Sequence, residues 1–232
     1  MTNEEDGSAD LTAYAPRRFP PVETLDGRSV ALEPIVDESR FTELWDAFSK
    51  DSEGRIWDWL AGGPFADFES FSRYGREAYL AAGHRFYAFV PRESGRAEGV
   101  AALFRADLGN GVIELGHICL APSLQRTVAA SEGFFLLMEL VLGSLGYRRL
   151  EWKCNDGNQG SKRAAARLGF TYEGLFRQHM IVKGHNRDTA WFSLLDREWP
   201  AQRKAFQAWL SPDNLDADGR QLRSLRDFGP SR

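Results

Sequence analysis

Residues 111–170, GVIELGHICLAPSLQRTVAASEGFFLLMELVLGSLGYRRLEWKCNDGNQGSKRAAARLGF, decide the fold. Gly111 to Leu120 is an apolar-rich strand that stops at Pro122, which cannot donate to a ladder. Leu124 to Ser131 is a polar loop by position, feeding a helix through FFLLMELVLGSL. That helix is apolar almost all round, with Glu139 and Ser144 as its main polar interruptions, so more than one side must be covered. Arg148 to Cys154 alternates, with Leu150, Trp152 and Cys154 on one face and Arg149, Glu151 and Lys153 on the other, which is a strand. The loop NDGNQGS then opens a final helix that ends at Leu168-Gly169-Phe170.

Outward from this block, Asp26-Gly27 turns into a first strand, Ser29 to Glu33, that ends at Pro34. Asp37 starts a helix with Phe41, Leu44, Trp45 and Phe48 at helical spacing. Asp67 is a candidate cap for a second helix striped by Phe68, Phe71, Gly75, Ala78 and Ala82. Arg85 to Pro91 and Ala97 to Arg105 read as strands two and three, and Leu108-Gly109-Asn110-Gly111 as a hairpin turn. Two more strands follow Phe170, about Tyr172 to Val182 and Asp188 to Leu195, and then an amphipathic helix from Trp199 to Leu210. Residues 1–20 are expected to be a disordered or extended tail, 21–210 one domain, and 211–232 a charged extension.

With 232 residues and 43% apolar content the chain can bury one sizeable core. A net charge of −4 points away from nucleic-acid backbones and anionic membranes. No apolar run reaches membrane-spanning length and MTNEEDGSADL lacks the basic and apolar regions of a signal peptide, so a cytoplasmic protein is expected. Cys119 and Cys154 lie in apolar strands without metal-ligand spacing, and read as small hydrophobes.

GHICLAPSLQ at 116–125, Ala130-Ser131-Glu132, Asn158 with Ser161, Leu168-Gly169-Phe170, Glu173-Gly174 and GHNRDTAWFSLLDREW at 184–199 resemble, in order and spacing, the GNAT superfamily of acyl-CoA N-acyltransferases. The RimJ/RimL-like branch is the most similar. The resemblance implies a mixed α/β (α+β) fold with a mostly antiparallel seven-stranded sheet, flanking helices, and fourth and fifth strands that splay apart. It implies acetyl-CoA or another short acyl-CoA as co-substrate, no metal, and an amine acceptor that is a small molecule or a protein N-terminus. A homodimer is compatible with it.

An acyl-CoA needs donors for its pyrophosphate, main-chain edges for its amide-rich arm, and proton-transfer groups near the thioester. A loop entering a helix N-terminus supplies the first, because its amides point outward. The candidates are Gln125, Arg126, Thr127, Val128, Ala129 and Ala130, and the strand edge from His117 through Ile118 and Cys119 to Leu120 is the candidate for the second. The family pattern has Gly where Val128 stands; a β-branched residue there excludes positive φ and adds bulk toward the ligand. In the resembling branch an Asn at position 158 contacts the pantetheine arm, and a Ser at 161 lies near the sulfur and protonates the leaving thiolate. Both also suit helix capping. The general-acid Tyr of many GNAT enzymes would fall at Ala165, so it is absent.

For the base, Glu114 shares strand parity with Ile118 and Leu120, where a carboxylate is either paired or functional. His179, with an unperturbed pKa of about 6.5, is the second candidate. Trp57, Trp59 and Phe65 flank a Gly-Gly-Pro turn in the region that resembles the acceptor side, and Asp188 resembles a position that orients partners. The expected reaction is transfer of an acetyl or other short acyl group to a primary amine by direct attack in a ternary complex. The alternative, motivated by Val128 in the pyrophosphate loop, is a non-catalytic acyl-CoA-binding sensor or interaction module on the same fold. The acidic net charge leans toward a cationic acceptor.

Overall fold

A computed structural model describes residues 10–217 and 220–229. Its centre is an eight-stranded sheet in the order β1-β2-β3-β4-β5-β6-β8-β7. The strands are β1 Leu25–Asp26, β2 Val30–Pro34, β3 His84–Pro91, β4 Gly99–Asp107, β5 Val112–Leu120, β6 Arg149–Asn155, β7 Thr171–Val182 and β8 His185–Leu195. The helices are α1 Phe41–Phe48, α2 Phe68–Ala78, α3 Val128–Met138, α4 Gln159–Leu168 and α5 Trp199–Leu210. The eighth strand is β1, two residues paired antiparallel with Leu32 and Ala31, too short to leave a periodic signal in the sequence.

Alternation along the inner strands divides the core in two. On β3, Tyr87 and Phe89 join the cluster under α3 and α5, while Phe86, Ala88 and Val90 join the cluster under α1 and α2. Both faces are therefore covered, and HRFYAFVP reads as a nearly continuous apolar run. Asp67 caps α2, its carboxylate accepting from Ser70 N at 2.8 Å. The first helix begins at Phe41 rather than Asp37, because Asp37 instead accepts from Ser39 N at 2.9 Å and closes a local turn. The long apolar helix is also not uniform: past Met138 it widens into a π-helical segment, Glu139–Ser144. There the Glu139 carboxylate leaves the helix to bond Arg203 Nε at 2.8 Å, and a Cβ on Gly143 would sit 2.9 Å from that carboxyl group.

β5 and β6 are the parallel pair, in register only from Val112–Arg149 to Glu114–Glu151. Beyond Glu114 they diverge, which is the splay expected of the fourth and fifth strands of a seven-stranded count. Glu132, inside α3 and buried, accepts from Arg28 N at 2.9 Å and Ser29 N at 2.6 Å, tying the helix to the entry of β2. At the chain ends, Tyr147 Oη donates to Arg18 O at 2.9 Å, and Leu225 lies buried in the core cluster under α3 and α5. Residues 1–9 of the expected N-terminal tail fall outside the described residues. Among those described, no helix is long and apolar enough to cross a membrane.

Candidate active site

The diverging strands open a cleft lined by β5, β6, the start of α4, the β7–β8 hairpin and the turn after Trp57. It brings together Glu114, His117, Ile118, Asn158, Ser161 and Trp59 from the residues singled out by sequence. The Ser161 hydroxyl accepts from Trp152 Nε1 at 2.9 Å and lies within hydrogen-bonding reach of the Cys154 thiol, at the wall of the cleft. Asn158 does cap α4, its Oδ1 accepting from Ser161 N at 2.9 Å, and this fixes the first turn that carries Ser161.

Glu114 is buried, and its Oε2 takes Arg105 Nη1 at 3.0 Å and Lys153 Nζ at 2.9 Å. Lys153 also reaches Glu151 at 2.8 Å and stands 3.9 Å from the centre of the Trp191 ring. The other oxygen, Oε1, would be 3.4 Å from a Cβ on Gly116, which lines the cleft as Glu114 does. The parity read from sequence does not hold along the whole strand. A bulge shifts the register between Cys119–Val100 and Gly116–Ala102, with His117 at φ 50°. Ile113 and Leu115 face the cluster under α3, and so do Ile118 and Leu120 beyond the bulge, so Glu114 points to the opposite side.

The same bulge directs the His117 ring into the cleft, 4.6 Å from Phe104. Burial pushes His117 down to about 4, and the charges of His84, Arg105 and Arg187 act in the same direction. Its imidazole is therefore neutral at physiological pH. Sequence reasoning used only its backbone; Gly116-His117 inside an apolar strand was the available bulge signal. Arg187 lines the cleft and was not singled out at all.

The loop before α3 differs from expectation in an instructive way. Positive φ falls on Arg126, at 64°, and not on Val128. Val128 is the first residue of α3 and packs against the core cluster, so its branched side chain obstructs neither the backbone nor the loop's outer face. Thr127 caps the helix, accepting from Ala130 N at 3.1 Å. Among the described residues nothing accepts from the amides of Arg126, Val128 or Ala129. Free amides at a helix start fit an anion such as a pyrophosphate. Gln125 is turned back, its Nε2 donating to Leu120 O at 2.9 Å.

Other candidates lie outside the cleft. Trp57 is buried core, packed edge-on to Phe48 at 5.4 Å and Phe65 at 5.0 Å, and Phe65 packs on that same cluster. Only Trp59 of the three lines the cleft, 44% exposed. His179 is exposed on the β7 bulge, its Nδ1 2.9 Å from Thr189 Oγ1. Asp188 holds that bulge, accepting from Gln178 N at 2.7 Å, a bond that lowers its carboxyl below the usual range. Cys119 is buried under α1 and α2, and burial pushes its thiol well up. Cys154 does line the cleft, and burial raises its thiol too, against the opposing effect of the Ser161 hydroxyl. Neither thiol is poised as a nucleophile.

The family profile described as "Acetyltransferase (GNAT) domain" matches residues 30–171. A crystal structure of a GCN5-related N-acetyltransferase from Brucella melitensis superposes with a TM-score of 0.91 at 44% identity, covering 94% of this chain and 99% of that one. The "Putative ribosomal N-acetyltransferase YdaF" of Bacillus subtilis is 26% identical over 178 residues, 74% of this chain and 92% of that protein, in keeping with the RimJ/RimL-like resemblance. With the profile spanning more than half of its length, the chain belongs to the GNAT family and is an acyl-CoA-dependent N-acetyltransferase.

Proposed function

We propose that the chain transfers a short acyl group, acetyl in the simplest case, to a primary amine by direct attack within the β5–β6 cleft. One observation carries this reading: each of the two diverging strands, β5 and β6, runs into a helix start. The start of α3 offers the unbonded amides of Arg126, Val128 and Ala129, and that of α4 offers a cleft hydroxyl, Ser161, held by Trp152 Nε1. The amides would hold the pyrophosphate and the exposed edge of β5 past Glu114 the pantetheine amides. Asn158 Nδ2 would bind the same arm.

The amine nitrogen forms the new C–N bond as the C–S bond breaks. Ser161 gives its proton to the departing sulfur, with Trp152 Nε1 fixing the hydroxyl. The ammonium's surplus proton must leave before attack. Glu114 lines the cleft, with both its ion pairs on Oε2, and is the better placed of the two base candidates, acting directly or through a water; His179 is not in that lining. The buried, acid-weak thiols of Cys119 and Cys154 support direct attack over an acyl-enzyme. The sensor alternative was motivated by Val128, and the helical setting of that residue removes the motive.

The test is a pair of measurements on the same protein. Acetyl-CoA at about 100 times its dissociation constant stabilises the fold by roughly 2.7 kcal/mol, and a panel of primary amines stimulates CoA release. Binding without amine-dependent release in any case would favour the sensor, and no thermal shift with any acyl-CoA would reject both readings.

A further inference from the structure

Charges on the cleft side of the sheet are almost fully balanced, and the exception is informative. Arg105 pairs with Glu114, Glu114 with Lys153, Lys153 with Glu151, Glu151 with Arg149, and Arg149 with Glu173. Cations and carboxylates alternate along that chain and cancel. Arg187, on β8 opposite Met180, lines the same cleft and belongs to no such pair. Among the described residues its guanidinium has no hydrogen-bond or ion-pair partner, and its Nε is buried without one. An arginine is always charged, so a desolvated donor without an acceptor is a standing cost. That cost is recovered when an anion enters.

The surroundings restrict what the anion can be. Arg187 shares the cleft with Ser161, with the mutually paired Glu114 and Lys153, and with the apolar Met180, Val182, Ile56 and Leu60. The anion therefore sits in the cleft that holds Ser161, and the loop that suits the pyrophosphate is not part of that lining. A planar guanidinium fork matches a carboxylate in two-point fashion.

We propose that Arg187 binds a carboxylate carried by one of the two reactants, either the distal end of a dicarboxylic acyl group or the amine acceptor itself. This rests on the acyltransferase reading and names its substrate class. It runs against the overall acidic charge of the chain, which leans toward a cationic acceptor: the local field around Arg187 decides, and the remote surface does not.

The test crosses two donors, acetyl-CoA and succinyl-CoA, with two acceptors, an α-amino acid and its amide, in wild type, Arg187→Met and Arg187→Lys. kcat/KM is read for each pair, and titration calorimetry gives the affinity of each donor and, with CoA present, of each acceptor. The preference of wild type for one carboxylate-bearing reactant over its neutral counterpart should fall about ten- to a hundredfold in Arg187→Met, and Arg187→Lys should retain part of it. Taking the ratio between proteins cancels the differing basicities of the amines, so the fall in preference on substitution is the readout. A fall in the preference for succinyl-CoA places the carboxylate on the acyl group; a fall in the preference for the amino acid places it on the acceptor. Preferences that are the same in wild type and Arg187→Met overturn the assignment. Failure of the wider reading looks different: no CoA species binds, or CoA binds and no amine releases it from any donor. A carboxylate preference in the calorimetry alone would still support Arg187.

Discussion

His117→Asn makes the fold less sensitive to acid. Asn is the appropriate replacement because it tolerates the positive φ of 50° imposed by the β5 bulge. The imidazole is held down to about 4 in the folded protein, chiefly by burial and then by neighbouring positive charge, against roughly 6.5 when unfolded. Between those values the unfolded chain binds a proton that the folded chain refuses. Stability due to this group is therefore intact above the unfolded pKa and is lost as pH falls toward 4. At about 1.4 kcal/mol per pH unit, the loss across the window is on the order of 3 kcal/mol. The assay is urea denaturation of wild type and variant at intervals from pH 7.5 to 4.5. Carboxylates titrate in both proteins, so the difference in slope isolates His117. The variant also loses contact with Phe104, which lowers its curve at every pH without tilting it. Wild type should lose roughly 2–3 kcal/mol more than the variant between pH 6.5 and 4.5. Parallel curves would refute the reasoning and mean that the ring is hydrated.

Ser161→Ala should lower kcat by about 10² to 10⁴ while acetyl-CoA affinity stays within a few-fold; unchanged kcat in stopped assays would remove Ser161 as the acid. The two tryptophans should separate cleanly. Trp59→Ala raises KM for the amine more than for acyl-CoA, whereas Trp57→Ala costs about 3–5 kcal/mol of stability, as seen by denaturation. A rise in amine KM from Trp57→Ala at full stability would contradict its place in the core. Arg126→Gly removes a guanidinium and also the strain of a positive φ, so the fold should hold or gain about 1 kcal/mol. Acetyl-CoA binding should meanwhile weaken about ten- to a hundredfold and pantetheine binding much less, read by titration at low and high salt. Equal CoA affinities would mean that the amides alone hold the phosphates.

The order of elements along the chain was legible because it rests on strong signals: two-residue alternation in β6, the apolar α3, and the Asn158–Ser161 spacing at a helix start; the splay came only with the family resemblance. What escaped was set by single-residue departures from periodicity. The His117 bulge reverses the faces of β5, so parity alone put Glu114 with Ile118 when it belongs on the other side. The Gln178 bulge likewise carries His179 away from the cleft. Val128 was judged against a pattern in which glycine supplies the positive φ, while here Arg126 absorbs it earlier in the loop. Trp57 and Trp59 are two residues apart and chemically alike, yet one is sealed by Phe48, Phe65 and Phe71 and the other faces the cleft. Arg187 stood out in neither charge nor spacing. Its isolation exists only once β6, β7 and β8 are assembled and every neighbouring charge has found a partner.

The central claim is that the acyl group passes straight from the thioester to an amine held beside it. Initial rates of CoA release, measured while acyl-CoA and amine are varied together, test it most directly. Intersecting double-reciprocal lines, with no CoA released before amine is added, are the predicted result. Parallel lines with a stoichiometric burst of CoA from the protein alone would contradict it, because they require an acyl-enzyme, and neither the buried Cys119 nor the raised thiol of Cys154 is set up to form one.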